Sequence, residues 1–397
     1  MRVAAILLGL VALGVGLSKT APADDVNLAL AWYGDDAVQW TRHGAEIFAV
    51  GDRLVVLDAV TGAERRWLQL QRPRGQIELL PQPATDGRLI LFGWYLWDRK
   101  EAVIVSYDVQ TLTLQWQRRI AWGEGAHSIG PRIDAAFEDS AVYVQLTGRQ
   151  DEEHLLKLRR DTGDVIWAQQ FDRWMTGVPP VWYQGKLLIR SAVEFRYPDG
   201  HGHYQLVNPI NGLPVWRIRL ESMPVVGYED VPVIDGDWAY LTANMPGPYK
   251  RFYVVDLQRG RLAENTITDE LRPPFAYLNR VMYFAGQRPA AQYVRYRPDA
   301  ILWRTTITPS DGLLPGITNT GVVDEVNKRI YLGDTLRGVW VLSMTDGKLL
   351  GLIDTRPGAA SRRPFASRGA RRLERDGDRM LVGTQDGRLL VYRLARP

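Results

Sequence analysis

Eight times along the chain a short apolar run ends in a turn and restarts as a second apolar run. The clearest copies read VVLDAVTGAERRW (Val55–Trp67), IVSYDVQTLTLQW (Ile104–Trp116), LLKLRRDTGDVIW (Leu155–Trp167) and YQLVNPINGLPVW (Tyr204–Trp216). Fainter copies occupy 252–264, 293–303, 339–351 and 389–397. Aligned on their turn-entry residues, Asp58, Asp108, Arg159, Asn208, Asp256, Arg295, Ser343 and Arg393, they step by 50, 51, 49, 48, 39, 48 and 50 residues. A period near 48 is the mark of a radial or stacked repeat array, in which no unit can bury its apolar face alone.

Within each copy apolar and polar residues alternate at period two, and Gly, Pro, Asp and Asn fill the intervening turns. After residue 25 no segment sustains a helical period. One period holds about four short strands, the size of a propeller blade. The second copy divides into 77–82, 88–94, 103–108 and 114–120, with WYLWDRKEA as a long loop. The predicted fold is all-β: an eight-bladed β-propeller of four-stranded antiparallel blades, with seven blades as the alternative. The last copy stops without a fourth strand, whereas 27–33 (NLALAWY) has no partner in the first. Added to the eighth blade as its outer strand, it would close the ring and leave no edge there. Tryptophans at 67, 116, 167, 216 and 303 recur at one place per copy, and are expected to pack between neighbouring blades.

A formal charge of +4 on 397 residues is small, and the basic residues form no stripe, so nucleic acid is not an expected partner. Residues 1–23 read as an export signal: Arg2, the apolar run 3–17, then Ala21-Pro22-Ala23 before the cut, leaving 24–397 as a single propeller domain. The run is short for a membrane span. Retention of the signal as an anchor is the alternative. The chain has no cysteine, which excludes disulfides, thiolate metal sites and a lipidated cysteine. A periplasmic or extracellular bacterial monomer is expected.

An apolar strand running into D-x-x-T-G-x-x-x-W is carried best by Asp58, Thr61 and Gly62, and by Asp161, Thr162, Gly163 and Trp167. This resembles the repeat of the PQQ-like propellers, known from quinoprotein alcohol dehydrogenases. The resemblance implies the propeller fold and leaves two kinds of activity open. Some members are quinone enzymes, with a ring disulfide between adjacent cysteines, a calcium held by Glu and Asn, and an Asp base. Others bind no cofactor and act as extracytoplasmic scaffolds, such as the propeller subunit of the outer-membrane barrel assembly machinery. Without cysteine the ring disulfide cannot form here. The expectation is a non-catalytic scaffold for an envelope or surface protein partner, with no cofactor and no metal. A PQQ- and calcium-dependent dehydrogenase or a glycan-binding propeller is the alternative.

On the face where the second-to-third-strand loops emerge, aromatic and imidazole side chains suggest a contact surface: Trp94, Tyr95, Trp97, His127, Phe195, Tyr197, His201, His203 and Tyr249. The same side chains would be explained by loops folding back on their own blades. Asp199, His201 and His203 have the composition of a metal loop, but a polar turn accounts for them equally. A basic segment holds Arg362, Arg363, Arg368, Arg371, Arg372 and Arg375, suited to an anionic partner or to a solvated connection. No nucleophile with a neighbouring base, phosphate loop or zinc motif is present.

Overall fold

The computed structural model describes residues 29–31, 39–75, 77–79, 83–121, 132–147, 154–172, 174–175, 179–194, 201–220, 232–244, 250–268, 271–278, 281–286, 291–297, 300–307, 317–334, 336–355, 370–377, 379–384 and 389–394. Among them there is no helix, and the strands form eight antiparallel sheets, numbered here in chain order. Sheet 1 runs Gln39–His43, Glu46–Val50, Arg53–Asp58, Glu64–Gln69. Sheets 3 to 7 repeat that order from Arg132–Phe137 to Leu349–Asp354, except that the first strand of sheet 4 is two short pieces. The first strand of sheet 2 is also split, into Ile77–Leu79 and Ala84–Thr85, both paired with Leu89–Leu96.

Where side chains are described, neighbouring sheets pack against each other through largely apolar middle strands. Leu54, Val56, Phe92 and Val105 join sheets 1 and 2. Leu91, Ile104, Val142 and Val144 join 2 and 3. The seam between the last sheet and the first contains Leu381, Leu389 and Val391 against Ile47, Val55 and Leu57, so the array closes on itself. Sheet 8 takes its fourth strand from the other end of the chain. Ala29–Ala31 pairs antiparallel with Leu389–Arg393, Ala29 opposite Val391 and Ala31 opposite Leu389. That is the outer-strand closure expected from the sequence.

In sheets 1, 2, 4 and 5 the turn between third and fourth strands is built by its entry residue. Asp58 Oδ1 accepts the amides of Val60 and Thr61 at 2.7 Å, and the Gly62 amide returns to the Asp58 carbonyl at 2.8 Å. The Thr61 amide and the Arg65 guanidinium favour the ionised form of Asp58 and hold its pKa down at about 2. Asp108 repeats the arrangement with Gln110 and Thr111, and Asn208 with Ile210.

The recurring tryptophans do dock between sheets, but only four of the five. Trp116, Trp167, Trp216 and Trp303 donate their indole N–H to the carbonyls of Arg160, Pro209, Leu257 and Met344 at 2.8–3.2 Å. In every case the acceptor belongs to the third-to-fourth-strand turn of the following sheet. The ring lies on the glycine of that turn. At Gly163 a Cβ would sit 2.7 Å from the Trp116 ring, so close approach and φ of +72° both require glycine. Trp67 departs from this pattern. It is nine residues past its turn entry, where the others are eight past theirs, and a one-residue slip sends a strand side chain to the opposite face. Arg66 occupies the docking register, opposite Val56, and donates to the Gln110 carbonyl at 3.1 Å. Trp67 is left 53 % exposed, with the Arg53 guanidinium 5.2 Å over its ring. With no indole to accommodate, the turn of sheet 2 carries Leu112 at φ of 53° instead of glycine.

Candidate functional site

The structure relocates part of the expected contact surface. The second strand of sheet 2 runs on to Leu96, so Trp94 and Tyr95 lie in a strand and are 2 % and 1 % exposed. Trp94 joins the core between sheets 1 and 2, and Tyr95 the core between 2 and 3. The run LILFGWYL is apolar throughout because a central strand is covered on both faces, and such a run carries no alternation to mark where the loop begins. Trp97 folds back edge-on to Tyr95, ring centroids 4.8 Å apart. These three therefore do not form an exposed platform. His127, Phe195, Tyr197, Tyr249, Arg362, Arg363 and Arg368 lie outside the described residues. Arg371, Arg372 and Arg375 are in the strand Ala370–Asp376, not in a connecting loop. Arg375 binds Asp324 at 3.0 Å and the Val323 carbonyl at 2.9 Å, and so ties sheet 8 to sheet 7.

His201 and His203 begin the third strand of sheet 4, His201–Val207, at the end where the second-to-third-strand loop enters. Their rings stand 6.4 Å apart. The His203 side belongs to a polar cluster centred on Asp172, in the connection from sheet 3 to sheet 4. The Asp172 carboxylate is only 4 % exposed. It accepts the Ser191 hydroxyl and an Arg217 N–H, and lies 2.8 Å from His203 Nδ1. Ser191 in turn accepts the Gln205 amide at 2.7 Å. Burial pushes the Asp172 carboxyl up, but His203, Ser191 and Arg217 outweigh it and hold the group below the usual carboxylate range.

This cluster is part of a polar half-interface, with Arg217 at its exposed edge. Toward the third-to-fourth-strand turns, sheets 3 and 4 meet through Tyr143, Leu187, Ile189 and Val207. Toward the loop end, the same strand faces carry Gln145, Thr147, Ser191 and Gln205, all buried, joined by Asp134 and His154. His154 Nδ1 accepts the Phe171 amide at 3.3 Å. Asp172, Ser191, Gln205 and Arg217 were not singled out from the sequence. Their signal was present as polar residues in register with apolar ones: Ser191 two after Ile189, and Gln205 two before Val207.

The Ser191 hydroxyl donates to the Asp172 carboxylate and accepts the Gln205 amide, and that carboxylate, held below the usual range, is a weak base for activating it. Among the described residues no three His, Asp or Glu side chains gather to hold a metal ion. The ring disulfide that the quinone enzymes would imply has no cysteine to form it. What the site does offer is a fixed pattern at the loop face: one half-exposed guanidinium and an imidazole anchored on a buried carboxylate.

The fold and the comparisons define a class. The chain is an all-β propeller. The family model described as outer membrane protein assembly factor BamB matches residues 100–272, which include three of the four clearest repeats. BamB from Moraxella catarrhalis superposes with a TM-score of 0.61 at 15 % identity, over 92 % of this chain and all of that one. A quinohemoprotein alcohol dehydrogenase, ADHIIG from Pseudomonas putida HK5, gives 0.60 at 12 % identity, over 93 % of this chain and 77 % of the enzyme. A computationally designed protein, Ika8, gives 0.59 at 11 %, over 91 % and 97 %. No curated protein matches the sequence. No described helix is long and apolar enough to cross a membrane.

Proposed function

We propose that this chain is an exported, non-catalytic propeller scaffold of the cell envelope that holds a protein partner on its loop face. The observation that carries the reading is the match of residues 100–272 to the BamB family model, together with a BamB superposition that spans all of that protein. The chemistry of the loop face supports it: the hydrogen-bonded cluster from Asp172 to Arg217 offers a guanidinium and an imidazole suited to recognition. The apolar run 3–17, followed by Ala21-Pro22-Ala23, supports export.

The test is capture of partners from envelope extracts by the tagged mature chain, in parallel with Arg217→Ala and with melting curves in added PQQ and calcium. Recovery of one protein by the parent and not by the variant, with no ligand-induced rise in Tm, supports the scaffold. A Tm rise of several degrees with PQQ and calcium, accompanied by dye-linked alcohol oxidation, replaces it with the dehydrogenase. That second reading is kept because ADHIIG covers 93 % of the chain.

A further inference from the structure

We propose that the cleft between sheets 2 and 3, at the end of the molecule opposite the loop face, binds a short peptide segment carrying both a carboxylate and a cationic side chain. The cleft has a volume of about 440 Å³, the size of small-ligand sites. Its walls are Arg88 and Leu89 at the start of one strand of sheet 2, Asp108 and Gln115 around the next turn, and Asp139, Ser140 and Arg159 to Asp161 from two turns of sheet 3. Leu89 is the one apolar side chain among them, so the ligand is polar.

Two of the charged walls are committed. Arg160 pairs with Asp86 at 2.5 Å and donates to the Glu138 carbonyl at 3.2 Å, and the Trp116 indole caps its own carbonyl. Asp108 Oδ1 is occupied by the amides of Gln110 and Thr111 and by the Thr111 hydroxyl. Four are not committed. The side chains of Arg88, Arg159, Asp139 and Asp161 are exposed and make no hydrogen bond or ion pair with a described residue.

Elsewhere at this end of the molecule opposite charges find one another. Arg65 takes Asp58, Arg66 takes Glu46, and Arg259 takes Asp256. Two cations and two anions lining one cleft, not paired with each other, leave their pairing to a ligand. Arg159 has a further reason to point outward. It occupies the turn-entry position where sheets 1, 2, 4 and 5 use Asp or Asn, so its side chain closes no turn. The turn is held instead by Thr162 and Asp164. In the proposed complex Arg88 and Arg159 hold the carboxylate while Asp139 and Asp161 hold the cation.

The experiment is calorimetric titration of the full chain with acetyl-Lys-Gly-Glu-amide and with its Lys-Gly-Gln and Gln-Gly-Glu analogues. Saturable binding is expected for the first. Each analogue should bind about three- to five-fold more weakly, the size of one exposed ion pair. At about 1 M salt, where screening acts within about 3 Å, binding should be lost. Arg159→Gln should weaken the preference for Glu over Gln, and Asp161→Asn the preference for Lys over Gln. Both residues are exposed, so neither change should move Tm. No saturable heat up to roughly ten millimolar peptide, equal binding of all three peptides, or preferences unmoved by both substitutions would overturn the proposal.

Discussion

At the scale of single residues, this protein uses carboxylates as fixed acceptors, and their pH dependence follows. Asp172 has a folded pKa below its unfolded value. Its contribution is therefore complete above the unfolded carboxylate range and is lost as pH falls through the folded value. Asp172→Asn should cost about 1–3 kcal/mol near neutrality, since it removes a charge from a buried hydrogen-bonding group. Between about pH 5 and pH 2 the variant should lose less stability than the parent, a contrast that denaturant titrations at several pH values would reveal. Asp58 behaves alike but at the surface. Its carboxyl resonance should titrate at about 2 in an NMR experiment, and Arg65→Ala should raise that value. Gly163→Ala tests the docking of Trp116. The added methyl meets the indole at 2.7 Å on a backbone of positive φ, so a loss of more than 1 kcal/mol in chemical denaturation is expected.

At the scale of the element, the unit is a strand–turn–strand hairpin locked to its neighbour by one side chain. Sheet 1 achieves the lock with Arg66, because one additional residue separates Gly62 from Trp67. Deleting Arg66 brings Trp67 into the docking register, where it meets the Leu112 side chain. Deletion alone should therefore destabilise the fold. Deletion combined with Leu112→Gly should recover part of the loss and shift the Trp67 fluorescence to the blue, a non-additivity that a double-mutant cycle measures. The slip was legible in the sequence as nine residues against eight, whereas its consequence, the substitution of guanidinium for indole, needed the register. The strands themselves were legible from alternation and from Asp-Gly and Asn-Gly turns. The extent of Leu89–Leu96 was not, because a strand buried on both faces has no polar phase to count. The Asp172 cluster was hidden for a different reason. Its members come from 172, 191, 203, 205 and 217, and only His203 carried chemistry that stands out in one dimension.

At the scale of the whole molecule, the seam where the first sheet meets the last joins segments from opposite ends of the described chain. There the strand Ala29–Ala31 lies beside Leu389–Arg393, and Arg379 donates to the Ala59 carbonyl at 3.2 Å, across 320 positions of sequence. Removing residues 24–38 should lower Tm by several degrees and, by baring the Leu389–Arg393 edge, produce concentration-dependent association visible in light scattering. The same seam bears on biogenesis. Among the described strands Ala29–Ala31 leaves the ribosome before the others and pairs with Leu389–Arg393, so a growing chain carries it unsatisfied until that late segment has been made. A product cut short by proteolysis or premature termination keeps that strand bare. Ring closure thus distinguishes finished chains from fragments, and a quality-control protease reading exposed edges would find its substrates already marked.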